Sequence, residues 1–129
     1  MGSYGYLTGK TVLVVEDEWL IADDLRRSLA NEGAHVLGPV ASVEQALALI
    51  HKTPRIDAAV LDVHLEGGSN VYLVAEKLRT RNVPFMFATG YDDYTIRRDF
   101  ANVPHLMKPF VTGRVARMLA TASSLTYSA

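Results

Sequence analysis

Cysteine is absent from the 129 residues. Disulfides, thiol nucleophiles and thiolate metal sites are therefore excluded, and a reducing cytoplasm is the compartment expected. An excess of one charge is lacking too: 13 Lys and Arg stand against 14 Asp and Glu. That balance supplies no basic footprint for nucleic acid. No apolar run approaches the ~20 residues of a membrane span. The N-terminus has no charged region followed by an apolar stretch, so no signal peptide is expected. Low-complexity segments and linkers are missing as well. What is present, 49% hydrophobic and 21% charged residues, is the balance of a globular chain rather than a disordered one. The length suits one domain that buries roughly two thirds of its unfolded surface. That domain is expected over residues 11–124, between an N-terminal extension (residues 1–10) and a short tail (residues 125–129). Met1-Gly2-Ser3 could be an expression scar and carries no weight.

Strand and helix signals alternate along the chain, which predicts a βα repeat and a parallel sheet. The first strand is expected near Val12–Val15. A helix follows with Ile21, Leu25 and Leu29 on one stripe, and Gly33 stops it. The second strand is expected over Ala34–Gly38. Ser42-Val43-Glu44-Gln45 has the form of a capping box that opens a helix burying Ala46, Leu47 and Ile50, with Pro54 closing it. Ala58–Leu61 is the third strand. Gly67-Gly68-Ser69 predicts a flexible turn before a helix that buries Val71, Val74, Ala75 and Leu78. Phe85–Ala88 is the fourth strand. The weakest helix signal lies near Tyr94–Phe100, which is short and carries Arg97, Arg98 and Asp99. A fifth strand near Val103–Met107 precedes a last helix from about Thr112, with Val115, Met118 and Leu119 inward.

The strands share one property: each short apolar run ends in a reactive polar residue. Val12–Val15 runs into Glu16 and Asp17, Ala58–Leu61 into Asp62, Phe85–Ala88 into Thr89, and Leu106-Met107 into Lys108-Pro109. Runs of this kind suit strands buried on both faces of a parallel sheet. In open α/β sheets the ligand site lies beyond the carboxyl ends of the strands. Three carboxylates, a hydroxyl and an ammonium group are thus expected at one sheet edge, a set suited to a divalent cation and a phosphoryl group. Clustered carboxylates repel unless a hard cation relieves them, and Mg2+ takes oxygen ligands of this kind. Asp62 is the best candidate nucleophile, because a carboxylate can attack a phosphoryl group. Asp57 precedes its strand, so it belongs at the opposite end of the sheet with a structural role. Thr89 can donate to a phosphoryl oxygen and Lys108 can neutralise one. Glu18 reads as part of a solvated loop and helix start.

An acidic pair after strand one, Asp62 after strand three, Thr89 after strand four and Lys108-Pro109 after strand five form a specific pattern. With it the chain resembles a CheY-like bacterial response-regulator receiver domain, from about Thr11 to Leu119. The resemblance implies a flavodoxin-like (βα)5 doubly wound α/β sandwich whose five parallel strands run in the order 2-1-3-4-5. It implies that Asp62 accepts phosphate from a histidine kinase, and that the domain is a signalling phosphoacceptor rather than an enzyme. Mg2+ would be held by Asp17, Asp62, Glu16 through water and the backbone carbonyl of His64. Thr89 and Lys108 would contact the phosphoryl group. Phe85-Met86-Phe87-Ala88-Thr89-Gly90-Tyr91 further resembles the FATGUY subfamily, which pairs with the HWE and related histidine-kinase families.

Two departures stand out. His105 occupies the position three before the lysine where many receivers carry a Tyr or Phe switch, and His64 replaces a commoner Asn. Tyr91 and His105 are the expected switch and output positions, and partial burial of His64 and His105 is as well supported as a special role. The four histidines have no paired metal-ligand spacing. The expected function is a monomer acting in trans, as a stand-alone regulator, a phosphate sink or a relay to a histidine phosphotransfer protein. A haloacid-dehalogenase-like phosphatase is the enzymatic alternative, but it wants a second acid where His64 stands. A flavodoxin-like electron carrier is disfavoured because Glu16-Asp17-Glu18 would repel the FMN phosphate. A phosphorylation-independent docking module is the remaining alternative.

Overall fold

The structure, a computed structural model, describes residues 5–65, 70–90, 96–108 and 112–128, the side chains of residues 112 and 123–128 excepted. Along the chain run β1 (Thr11–Val15), α1 (Trp19–Asn31), β2 (His35–Val40), α2 (Val43–Lys52), β3 (Ala58–Asp62), α3 (Tyr72–Thr80), β4 (Phe85–Thr89), β5 (His105–Met107) and α4 (Thr112–Ser128). The strands form one parallel sheet in the order β2-β1-β3-β4-β5. This is the doubly wound α/β sheet and strand order expected from the sequence.

Continuous apolar strands are needed because both sheet faces are covered. Side chains alternate between faces with period two. Leu13, Val15, Ala59, Leu61, Phe85 and Phe87 enter the core beneath α2 and α3. Val12, Val14, Ala58, Val60, Met86 and Ala88 enter the other core, with Leu25 and Leu29 of α1 and Val115, Ala116 and Leu119 of α4. A hydrophobic-in, polar-out strand could serve only one of these layers.

Helix ends follow local chemistry. The Ser42 hydroxyl accepts from Gln45 N at 3.1 Å, and the Gln45 side chain accepts from Ala41 N at 3.0 Å. The capping box therefore closes, though one residue earlier on the return bond than the usual form. Gly33 ends α1 at φ +94°, and a Cβ there would stand 2.6 Å from Thr8 Oγ1. Both the left-handed backbone and the close approach of residues 5–9 require glycine. Those residues are built into the fold: Leu7 is fully buried in the second core, and its N–H donates to Glu32 O at 2.8 Å.

Three expectations need correction. The second strand does not stop at Gly38 but runs through Pro39 to Val40, with a register irregularity against β1. β2 is an edge strand, where a proline removes no ladder bond that matters. Leu47 and Met118 lie partly buried at the rims of the two cores rather than inside them. The helix expected near Tyr94–Phe100 is, among the described residues, a single 3-10 turn at Arg98–Phe100. Its polar groups are satisfied elsewhere. Arg97 N donates to the Tyr72 hydroxyl at 3.0 Å, and the Arg97 guanidinium pairs with Glu76 and Asp99. Phe100 anchors the turn, buried and stacked on Tyr72 with ring centroids 5.5 Å apart. The Gly67-Gly68-Ser69 turn lies outside the described residues.

Candidate functional site

The carboxyl ends of β1, β3, β4 and β5 bring Glu16, Asp17, Asp62, Thr89 and Lys108 to one edge of the sheet. Backbone bonds fix their supports: Glu16 N donates to Val40 O at 2.9 Å, Val63 N to Ala88 O at 3.0 Å, and Lys108 N to Thr89 O at 2.7 Å. Glu16, Asp62, Thr89 and Lys108 are all buried, and Asp17 is half-buried. Burial of so many polar groups at a strand edge is not explained by folding, which would favour apolar residues there. Asp57, by contrast, lies at the opposite end of β3, where it accepts from Thr11 N at 2.8 Å. Its place matches the structural role expected for it.

Glu16, Asp17 and Asp62 each offer a carboxylate oxygen, and these oxygens lie within 4.8 Å of one another. Opposite them stands the Lys108 ammonium, 2.8 Å from Glu16 Oε1, 3.2 Å from Glu18 Oε1 and 3.3 Å from Asp62 Oδ2. The contact to Glu16 Oε1 is close but lacks hydrogen-bond geometry, so it is an attraction of charges, whereas the contact to Glu18 is a hydrogen bond. Asp62 Oδ1 accepts from His64 N at 2.9 Å. Burial and then the neighbouring Glu16 charge push the Asp62 carboxyl up to about 8, against the lesser pull of the His64 N–H and Lys108. Burial acts to lower the Lys108 pKa, but the close Glu16 carboxylate and the other carboxylates around it prevail, and the ammonium is held above its ordinary value.

This arrangement fits a hard divalent cation. One ammonium cannot neutralise three close carboxylates, and one of them is driven toward its protonated form. An oxygen-only donor set of this kind suits Mg2+. The Thr89 hydroxyl points to a second ligand. It is buried and, among the described residues, has no hydrogen-bond partner. A buried unsatisfied hydroxyl costs roughly 1–3 kcal/mol, a cost that an incoming oxyanion could remove. Carboxylates for a cation, with a hydroxyl and an ammonium for an anion, can together hold a phosphoryl group on Asp62.

All the cluster residues expected from the sequence are therefore brought together. Sequence reasoning missed Glu18, which was assigned to the solvated loop. It does lie at the surface, yet its carboxylate reaches the ammonium of a residue 90 positions away, and no local pattern announces that contact. His64 and His105, for which partial burial was one expectation, are both exposed. Tyr91 and Pro109 lie outside the described residues.

Comparison with known proteins agrees with this geometry. The family model for the response regulator receiver domain matches residues 12–120. Among curated proteins, the phyllosphere-induced regulator PhyR of Methylorubrum extorquens is 28% identical over 92% of this chain and 45% of its own length. The transcriptional regulatory protein PdtaR of Mycobacterium tuberculosis is 29% identical over 78% of this chain and 50% of its own. The chain thus spans about half the length of the curated relatives it matches. Among solved structures, SdrG from Sphingomonas melonis Fr1 is 42% identical, with a TM-score of 0.77 over 94% of this chain and 98% of that one. The receiver domain of sensor histidine kinase PA1611 from Pseudomonas aeruginosa PAO1 is 25% identical, with a TM-score of 0.76 over 91% and 99% of the two chains. That structure has a magnesium ion coordinated in the active-site cleft.

Proposed function

Because the chain belongs to the response regulator receiver domain family, and so to two-component signalling, we propose that Asp62 accepts a phosphoryl group from a histidine kinase with the help of Mg2+. The observation that carries this reading is Asp62 itself. It is a buried carboxylate at the end of β3, clustered with Glu16 and Asp17 and 3.3 Å from the Lys108 ammonium.

An oxygen of ionised Asp62 attacks the phosphorus of a phosphohistidine. The P–O bond forms as the P–N bond breaks, and the electron pair returns to the imidazole nitrogen. The attacking form is the carboxylate, which a bound cation and the Lys108 ammonium would favour over the protonated acid. Asp17, Asp62, Glu16 through water and the carbonyl of His64 would hold Mg2+, which when bound neutralises charge on the carboxylates and the phosphoryl oxygens. Lys108 supplies a fixed positive charge on the other side. The Thr89 hydroxyl, unpartnered among the described residues, donates to a phosphoryl oxygen and so ties the end of β4 to the adduct. Phosphoryl transfer depends largely on positioning and charge stabilisation, and these groups sit on rigid strand ends.

The Phe87-Ala88-Thr89-Gly90 segment supports a kinase of the HWE or a related family. The receiver-domain match over residues 12–120 supports signalling through a partner, whether as relay, sink or effector. His105, exposed on β5, is assigned with Tyr91 to the output surface. Cytoplasmic residence fits the absence of cysteine. The test is incubation with acetyl phosphate and Mg2+, with the adduct mapped by mass spectrometry. Label is expected on Asp62, and an Asp62→Asn protein labelled as well as the wild type would sink the proposal.

A further inference from the structure

We propose that Glu18 is a displaceable counter-ion for Lys108, a carboxylate that occupies the ammonium in the resting state and is exchanged for a phosphoryl oxygen when Asp62 is modified. This rests on the reading of Asp62 as the phosphoacceptor and adds a positioning residue to that site.

The Lys108 ammonium is crowded. An ammonium has three N–H donors, and three carboxylate oxygens stand within 3.3 Å of Lys108 Nζ, from Glu16, Glu18 and Asp62. A phosphoryl oxygen can reach the ammonium only if one of them leaves. Asp62 is the modified residue and remains in place by covalent attachment. The Glu16 side chain is 1% exposed, and stripping it of its cation would leave a buried charge uncompensated, which is strongly destabilising. The Glu18 side chain is 61% exposed. Its carboxylate can return to water, and an exposed ion pair of this kind contributes little. Glu18 is therefore the partner that gives way.

Its position makes the exchange felt. Glu18 immediately precedes α1, and its carbonyl accepts the first helical bond, from Ala22 N at 2.8 Å. Its side chain makes no cap bond to the helix, so the salt bridge to Lys108 is what fixes it. Glu18 N donates to Glu16 Oε2 at 3.0 Å, so the backbone stays anchored when the side chain lets go. The neighbouring Trp19 and Leu20 are strongly exposed. Release of Glu18 would thus alter charge and side-chain order beside an apolar pair at the surface, while the strand ends remain fixed.

Beryllofluoride with Mg2+ serves as the phosphoryl mimic, titrated into wild type, Glu18→Gln and Glu18→Ala. Both variants remove the competitor, so both should bind the mimic about two- to five-fold more tightly at low salt, the range expected from an exposed ion pair. The advantage should shrink at high salt, where exposed charges are screened. In parallel, the carboxyl carbon-13 signal of Glu18 in the wild type should move on addition of the mimic toward its position in resting Lys108→Ala. Affinity equal to wild type in both variants would overturn the inference. A gain in Glu18→Ala alone would also overturn it, since that would mean side-chain bulk matters and charge does not. Tighter binding with an unmoved Glu18 signal would show plain repulsion of the anion and overturn it as well. A wild type that gives no response to the mimic, at Asp62 or anywhere else, would instead overturn the phosphoacceptor reading and this inference with it.

Discussion

Asp62→Asn should stabilise the protein in cation-free buffer, and the gain should grow as the pH rises. The carboxyl titrates near 3.8 in an unperturbed chain and is pushed up to about 8 in the fold by burial and Glu16. Between those values the native state holds a proton that the unfolded chain has lost. Stability contributed by this group is then fully present only at acid pH and is lost as the pH rises toward 8. The slope from one such group is at most about 1.4 kcal/mol per pH unit, or about 3 kcal/mol from pH 5 to pH 7. Charges close to Asp62 interact with it as it ionises, so the observed slope should be somewhat smaller. The asparagine amide carries no charge and has no such slope. The assay is urea unfolding of both proteins at pH 5, 6, 7 and 8 in EDTA, with the midpoints compared at each pH. Saturating Mg2+ should reverse the order, because a ligand that binds only the native state stabilises the protein able to hold it. A wild-type-to-variant difference that is flat from pH 5 to pH 8 would refute the claim that the fold holds these carboxylates together against their repulsion.

Three further outcomes are expected. Asp17→Asn should weaken Mg2+ binding at least about tenfold, as loss of one of a few carboxylate ligands implies. The change can be followed by the fluorescence of Trp19, which is 73% exposed and two residues beyond Asp17, and unchanged affinity would mean the cation sits elsewhere. Thr89→Val removes a buried hydroxyl that is unsatisfied among the described residues, so thermal stability should hold or rise by up to about 1 kcal/mol, while amide shifts at the end of β4 on adding beryllofluoride should be largely lost; a destabilised variant with an intact response would contradict both halves. Leu7→Ala should cost about 2–5 kcal/mol in urea unfolding, because Leu7 is fully buried between the sheet and the α1 and α4 layer; a loss below about 0.5 kcal/mol, the size of an ordinary surface change, would show that residues 5–10 are dispensable.

What was legible in the sequence was whatever a short window encodes. Val12–Val15, Ala58–Leu61 and Phe85–Ala88 announce strands covered on both faces, because no alternation breaks them. The polar residue after each run marks the carboxyl edge of the sheet, so the sequence alone gathers Glu16, Asp17, Asp62, Thr89 and Lys108 there. Ser42 and Gln45 announce a helix start because the cap bonds are local, and Gly33 a helix end because only glycine takes that backbone cheaply. Only the tertiary structure decided the rest. The 3-10 turn at Arg98–Phe100 forms where a helix was expected because Tyr72 and Glu76, on α3, satisfy Arg97. Leu7 is core because β1, α1 and α4 converge on it. Glu18 reads as an ordinary surface acid until the fold sets Lys108 3.2 Å away. The raised Asp62 carboxyl follows from burial and from distances of a few ångströms between groups far apart in the chain. Electrostatic energy depends on separation and dielectric, and neither exists until the strands are side by side.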